Sequence, residues 1–310
     1  MKYFLTFLKD CSKNDYEVAH LFEHLVVNRI ILAIKMSGYQ FGYGRVGGET
    51  FEDGPVSIQL NLYEKGLYEL SRDILLDTPN NSFTTSEIKK AIRQLEAEEV
   101  SRAVYKLSDI KKELLVISDL PWREKKKFKK PEPVPRHDAT KKWLIEFIRD
   151  PNSFYNINFW LRLGEKSYKN DISGAVIFFL MHNLFIEFIN DLLSSRLDGY
   201  PVGDDPIKKT GQGFLAQFTI RVSRDITNED MEKELSHLRI LKGGAGYNKI
   251  KKSLALYFSN PLYKQTINKD ISSQLGIKVG EKSIEDILTE ESYNNFLKNL
   301  ELGWDIETIH

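Results

Sequence analysis

Cysteine is nearly absent: Cys11 stands alone among 310 residues, which excludes an internal disulfide framework and fits a reducing compartment. Net charge is absent too. Lysines plus arginines number 44, as do aspartates plus glutamates, so no overall field exists to gather nucleic acid or an anionic membrane, and neither is expected as a partner. Long hydrophobic runs are also lacking. The most apolar stretch, Ala175 to Met181, continues into His182, Asn183, Glu187 and Asp191, which would put polar groups inside any membrane span. It reads as a buried helix. Met1 to Asp10 has neither a basic region of normal length nor an apolar run followed by small residues, so no signal peptide is read and a cytoplasmic location is expected.

What is present suits two modest folded domains. In the first block an alternating run, Tyr3 to Leu8, is followed by a polar turn from Lys9 to Asp15 and then by a helix. Asn14 or Asp15 caps that helix, Glu17 lies in its first turn, and Gly38 stops it after Ile34. The glycine-rich segment Tyr39 to Asp53 and the alternating Val56, Ile58, Leu60 and Leu62 read as a hairpin. A short amphipathic helix spans about Gly66 to Leu76, and Thr84-Thr85-Ser86-Glu87 forms a capping box that opens a long helix containing Glu96, Glu98 and Glu99. A second block repeats this order with a strand from Phe154 to Leu163, a helix from about Ile172 to Arg196 and a strand from Gly213 to Val222. Further helices are read from about Glu229 to Leu241 and after Gly246. Such a repeat is how an internal duplication looks once side chains have diverged. The expected organisation is an α+β unit over 1–120, a basic, proline-rich linker over 121–138, and a second, metal-free α+β unit over 139–310. Each unit is expected to be an antiparallel sheet packed by helices.

The segment His20-Leu21-Phe22-Glu23-His24 carries the chemistry. On a helix, positions i, i+3 and i+4 share a face, so both imidazoles and the Glu23 carboxylate project together. Two imidazoles four residues apart can hold one zinc ion, and the glutamate before the second histidine gives the inverted His-x-x-Glu-His order. Zinc with three protein ligands keeps a position open for water and lowers that water's pKa to about 7, making it a nucleophile for a peptide carbonyl. Glu23 would take the water's proton and pass it to the leaving amine. A buried carboxylate beside Leu21, Phe22, Leu25 and Val26 is costly unless something compensates it, and a metal-bound water does so. The third ligand should be a carboxylate from another element. Glu98 and Glu99, three and four residues after Leu95, both lie near the apolar face of the long helix, whereas Glu96 points elsewhere.

These residues resemble those of the pitrilysin/insulinase family of zinc metallopeptidases: Val18-Ala19-His20-Leu21-Phe22-Glu23-His24-Leu25 matches its zinc helix. The resemblance implies a LuxS/metallopeptidase-like fold of two tandem units, a Zn2+ cofactor, and a third ligand on a long helix. Aligned through Phe83, that ligand is Glu98, with Glu99 as the alternative. Gly47-Gly48-Glu49-Thr50 and the strand from Val56 resemble the family's edge strand, which holds substrate by adding it to the sheet; the usual asparagine-alanine pair is absent. Gly199-Tyr200-Pro201-Val202, then Gly211-Gln212-Gly213-Phe214, resemble the segment whose tyrosine supports the substrate oxyanion, a role that falls to Tyr200. The companion arginine belongs seven residues before that tyrosine, where Leu193 stands. Arg196, four before, is the arginine available.

The resemblance implies a zinc-dependent endopeptidase for short, unstructured peptides, in peptide maturation or leader removal, working as a homodimer or a heterodimer with a related chain. The alternative is a catalytically inactive structural or regulatory subunit of a peptidase complex. Other residues read as structural. His137, His182, His237 and His310 lack carboxylates at the required spacing. Gly243-Gly244-Ala245-Gly246 lacks the lysine-serine tail of a phosphate loop and reads as a helix C-cap.

Overall fold

Alternation of apolar residues builds the first sheet. In strand β3 (Pro55–Leu62), Val56, Ile58, Leu60 and Leu62 are buried. They lie in register with β1 (Tyr3–Asp10), Phe7 facing Ile58 and Lys9 facing Val56. The computed structural model describes residues 3–39, 43–51, 55–62, 64–77, 82–125, 143–164, 172–223, 225–258, 269, 271–273 and 284–309. The chain divides into two units, Met1–Asp150 and Pro151–His310.

In the first unit, β2 (Gly44–Thr50) and β5 (Trp122–Lys125) complete an antiparallel sheet in the order β2-β3-β1-β5, which leaves β2 at an edge. Helix α1 (Tyr16–Met36) packs against β2 and β3 and against helices α2 (Lys65–Asp77), α3 (Thr85–Glu99) and α4 (Leu107–Asp119). Its start is set by Asp15, whose carboxylate accepts from the Val18 N–H at 3.0 Å and, through its other oxygen, from the Leu144 N–H at 2.7 Å. A small second sheet pairs β4 (Ser101–Tyr105) with β6 (Ile145–Arg149).

The second unit repeats the connectivity of the four-stranded sheet. Strand β7 (Tyr155–Gly164) is followed by helix α5 (Ile172–Arg196), then by the antiparallel strands β8 (Tyr200–Thr210) and β9 (Gly213–Val222). After helices α6 (Asn228–Leu235), α7 (Gly243–Phe258) and α8 (Glu290–Asn299), a last strand, β10 (Leu300–Thr308), pairs with β7. The order is β10-β7-β9-β8. In both four-stranded sheets the first strand in the chain lies between the second strand of a hairpin and the last strand of that sheet. The fold is thus α+β, with the expected repetition visible as topology. Gly174–Ser194 in α5 has the length and composition of a membrane span. In the structure α5 packs on β7, β8 and β9 and on α6 and α8, burying Ala175 through Met181.

Several expectations need correction. The division falls after Asp150 rather than across 121–138, because Trp122–Lys125 and Ile145–Arg149 pair with strands of the first unit. The remainder of that proline-rich segment lies outside the described residues. The helix expected after Gly246 begins at Gly243, whose φ of +72° suits glycine at the junction. The single helix expected from Glu229 to Leu241 is α6 followed by a 3-10 helix, Ser236–Leu241.

The turn expected from Lys9 to Asp15 begins only after Asp10, because β1 runs through Lys9 and Asp10, and the alternation of β1 puts Lys9 on the core face, fully buried. Its ammonium donates to the carbonyls of Ile117 (3.0 Å), Ser118 (2.9 Å) and Leu120 at the C-terminal end of α4, where helix carbonyls run out of partners along the helix. It also lies 5.1 Å from the ring centroid of Phe22 and 4.9 Å from that of Trp122. Burial lowers its pKa from 10.5 to about 8, above neutrality, so the charge is kept. Lys9→Met removes the ammonium that these buried carbonyls share and should cost about 2 kcal/mol or more. Thermal unfolding should then shift down by at least about 4 °C, whereas the same change at exposed Lys13 should leave the midpoint where it was.

Candidate metal centre

The register that Asp15 gives α1 buries Val18, Ala19, Leu21, Phe22, Leu25 and Val26. On the same helix, His20 and His24 are largely enclosed and Glu23 is only 8% exposed. Helix α3 begins at Thr84, where the expected capping box forms: the hydroxyl accepts from the Glu87 N–H (3.2 Å), and Glu87 accepts from the Thr84 N–H (2.7 Å). Glu87 also takes Arg29 of α1 at 2.8 Å, and that guanidinium lies 4.1 Å from the Phe83 ring centroid. Farther along α3, Gln94 accepts from Asn28 at 2.8 Å. The next contact is Glu98 with His24, 3.2 Å between Oε2 and Nε2. Residue numbers fall along α1 as they rise along α3, so the helices run antiparallel and the ladder delivers Glu98 to the histidines.

The same Glu98 oxygen lies 3.7 Å from His20 Nε2, and the ligand atoms of His20, His24 and Glu98 all fall within 4.8 Å of one another. Ligands 2.0–2.2 Å from a tetrahedral ion stand roughly 3.4 Å apart, so these separations fit a zinc-sized cation. Two imidazoles and one carboxylate make a three-ligand set, the kind that keeps a position open. Glu99 is exposed and outside this group. Glu96 is buried and turned toward β4, where it accepts from the Ala103 N–H at 2.9 Å.

Glu23 lies beside the three ligands, its Oε2 3.9 Å from His20 Nε2. Burial pushes its carboxyl up to about 6; the charge of Glu98 adds to that, and His24 opposes it. For His24, burial disfavours the cation, yet the hydrogen bond to Glu98 and the charges of Glu23 and Glu98 outweigh it and raise the pKa. Strand β2 closes the other side of Glu23: Thr50 Oγ1 donates to its Oε2 at 3.3 Å, and a Cβ added at Gly48 would collide with the carboxylate.

Of the remaining sequence candidates, Tyr200, Arg196, His182 and His237 belong to the second unit. Tyr200 opens β8 opposite Arg221 of β9. Arg196, the last residue of α5, donates to Glu234 of α6. His182 Nδ1 pairs with the Phe179 carbonyl at 2.8 Å and His237 is exposed, while His137 and His310 lie outside the described residues. Sequence reasoning missed Asn28 and Gln94. Their signal was the four-residue spacing to His24 and Glu98, which continues each polar stripe by one turn.

No family model matches the chain, and no curated protein matches it. Similar solved structures include a protein described as an M16-like peptidase from Alicyclobacillus acidocaldarius, 12% identical, at a TM-score of 0.29, covering 98% of this chain and 92% of that one. A protease from Helicobacter pylori has the same identity and score, covering 98% and 93%. A protein described as a predicted insulinase family protease from Yersinia pestis is 13% identical at a TM-score of 0.26, covering 96% and 86%. At such scores the chemistry has to follow from the site's own geometry.

Glu98→Ala should weaken zinc binding by more than about 100-fold, beyond what loss of an outer-shell partner does, as read by competition with a chromogenic chelator. Glu99→Ala should leave it unchanged, and the reverse pattern would refute the assignment of the third ligand.

Proposed function

We propose that this chain is a zinc-dependent endopeptidase acting on short, unstructured peptides. The observation that carries the reading is the convergence of His20, His24 and Glu98 with the buried Glu23 beside them. A structural zinc site usually closes with four protein ligands. Here three protein ligands stand next to a carboxylate able to move a proton.

Zinc held by these residues would supply a Lewis acid that lowers the pKa of a water to about 7. Glu23 accepts the proton as the water oxygen bonds to the scissile carbon, then returns it to the amine nitrogen as the C–N bond breaks. The edge position of β2 suits a peptide that adds to the sheet through its backbone, an interaction that asks little of the substrate's sequence. Tyr200 is included as donor to the substrate oxyanion on the strength of the sequence resemblance. Arg196 is the weaker candidate, since Glu234 already engages its guanidinium. The proposal also includes pairing with an identical or a related chain, to be read from the mass in solution.

Glu23→Gln tests the mechanism. The variant should bind zinc as the wild type does and lose roughly 100- to 10,000-fold in kcat on a fluorogenic peptide, the range that general acid-base groups contribute. Cleavage at the wild-type rate would disprove the mechanism. Zinc binding with no cleavage by the wild type would favour an inactive structural or regulatory subunit.

A further inference from the structure

Strand β2 meets Glu23 at two points two residues apart, and side chains two apart on a strand share a face. At Gly48 the backbone lies so close that a Cβ would overlap the carboxylate and the Cγ of Glu23. At Thr50 the hydroxyl donates to Oε2 at 3.3 Å. That oxygen is the one 3.9 Å from His20 Nε2, on the side of the three ligands. The glutamate side chain is thus enclosed by a glycine that makes room for it and a threonine that holds one of its oxygens.

From this geometry we propose that Thr50 is a positioning residue for Glu23 and that Gly48 forms the slot in which the Glu23 carboxylate lies. The inference rests on the peptidase reading for its catalytic consequence, while the contact itself can be tested without it. A glutamate has three rotatable side-chain bonds, and one that must receive a proton from a small nucleophile gains from having them restricted. A carboxylate oxygen has two lone-pair sites. The Thr50 hydroxyl takes one on Oε2, which leaves that oxygen a second acceptor site. The strand that the peptidase reading gives to the substrate therefore also sets the orientation of the base, so seating of the substrate and aim of the base are tied to one element.

Thr50→Val removes the hydroxyl at nearly constant volume and Thr50→Ser restores it. In the zinc-loaded protein, Thr50→Val should lower kcat roughly 10-fold, a loss typical of modest misplacement of a reacting group, with KM and zinc affinity unchanged. Thr50→Ser should recover most of that loss. Gly48→Ala, which drives the carboxylate from its slot, should lower kcat further while zinc is retained. A readout free of activity comes from thermal unfolding of metal-free Thr50→Val, Glu23→Leu and the double variant, where the double variant's shift should differ from the sum of the single shifts. Strict additivity in that cycle, equal losses of zinc affinity and kcat in Thr50→Val, or failure of Thr50→Ser to restore kcat would each overturn the proposal. If the wild type cleaves no peptide, the peptidase reading falls, and the unfolding cycle still decides whether Thr50 holds Glu23.

Discussion

The first unit is organised around a cost: α1 carries His20, Glu23 and His24 into the side of the helix that packs against protein. An ionised carboxylate without partners in such surroundings shifts its pKa or is neutralised, and the rise of Glu23 to about 6 is that response. The neighbours that relieve the cost come from different elements. Thr50 of β2 donates to Glu23, while Glu98 of α3 approaches both histidines. Sheet edge and second helix are thereby held to α1 through polar contacts as well as apolar packing.

Placement of Glu98 depends on the whole interface between α1 and α3. The capping box at Thr84 sets where α3 begins, Glu87 and Arg29 fix one end of the antiparallel pair, and Asn28 and Gln94 fix the middle. A shift of one residue along α3 would turn its polar stripe by about 100°. That sensitivity explains why Glu98 approaches the histidines and Glu99, the next residue, is exposed to solvent.

Much of this was legible in the sequence because it is local. The helix that carries the His-x-x-Glu-His spacing, its cap at Asn14 or Asp15, the Thr84 box and the alternation in β3 are all written within a few residues; the helix, the box and the alternation form as expected, and of the two caps it is Asp15 that serves. What the sequence did not disclose is nonlocal. Strands β5 and β6 lie beside a proline-rich, basic segment whose composition reads as linker, and their pairing with β1 and β4 is a long-range event. Lys9 misled for a related reason. A lysine after an apolar run suggests a turn, and it is the carbonyls at the end of α4, more than a hundred residues away, that make a buried ammonium tolerable there.

The second unit shows what the scaffold is without the chemistry. Helix α5 occupies the position in its unit that α1 has in the first, between the first strand and the hairpin. Where α1 has a polar stripe answered by α3, α5 buries Ala175, Val176, Ile177, Phe178 and Met181 in one continuous run. A helix with so wide an apolar surface must be enclosed by protein or by lipid, and α5 has a sheet on one side and helices on others. Its membrane-like composition therefore follows from its place as a core helix that carries no stripe of ligands. A shared order of strand, helix and hairpin with such different helix faces means that the fold does not specify the candidate metal centre, which resides in the few side chains that α1, α3 and β2 bring together.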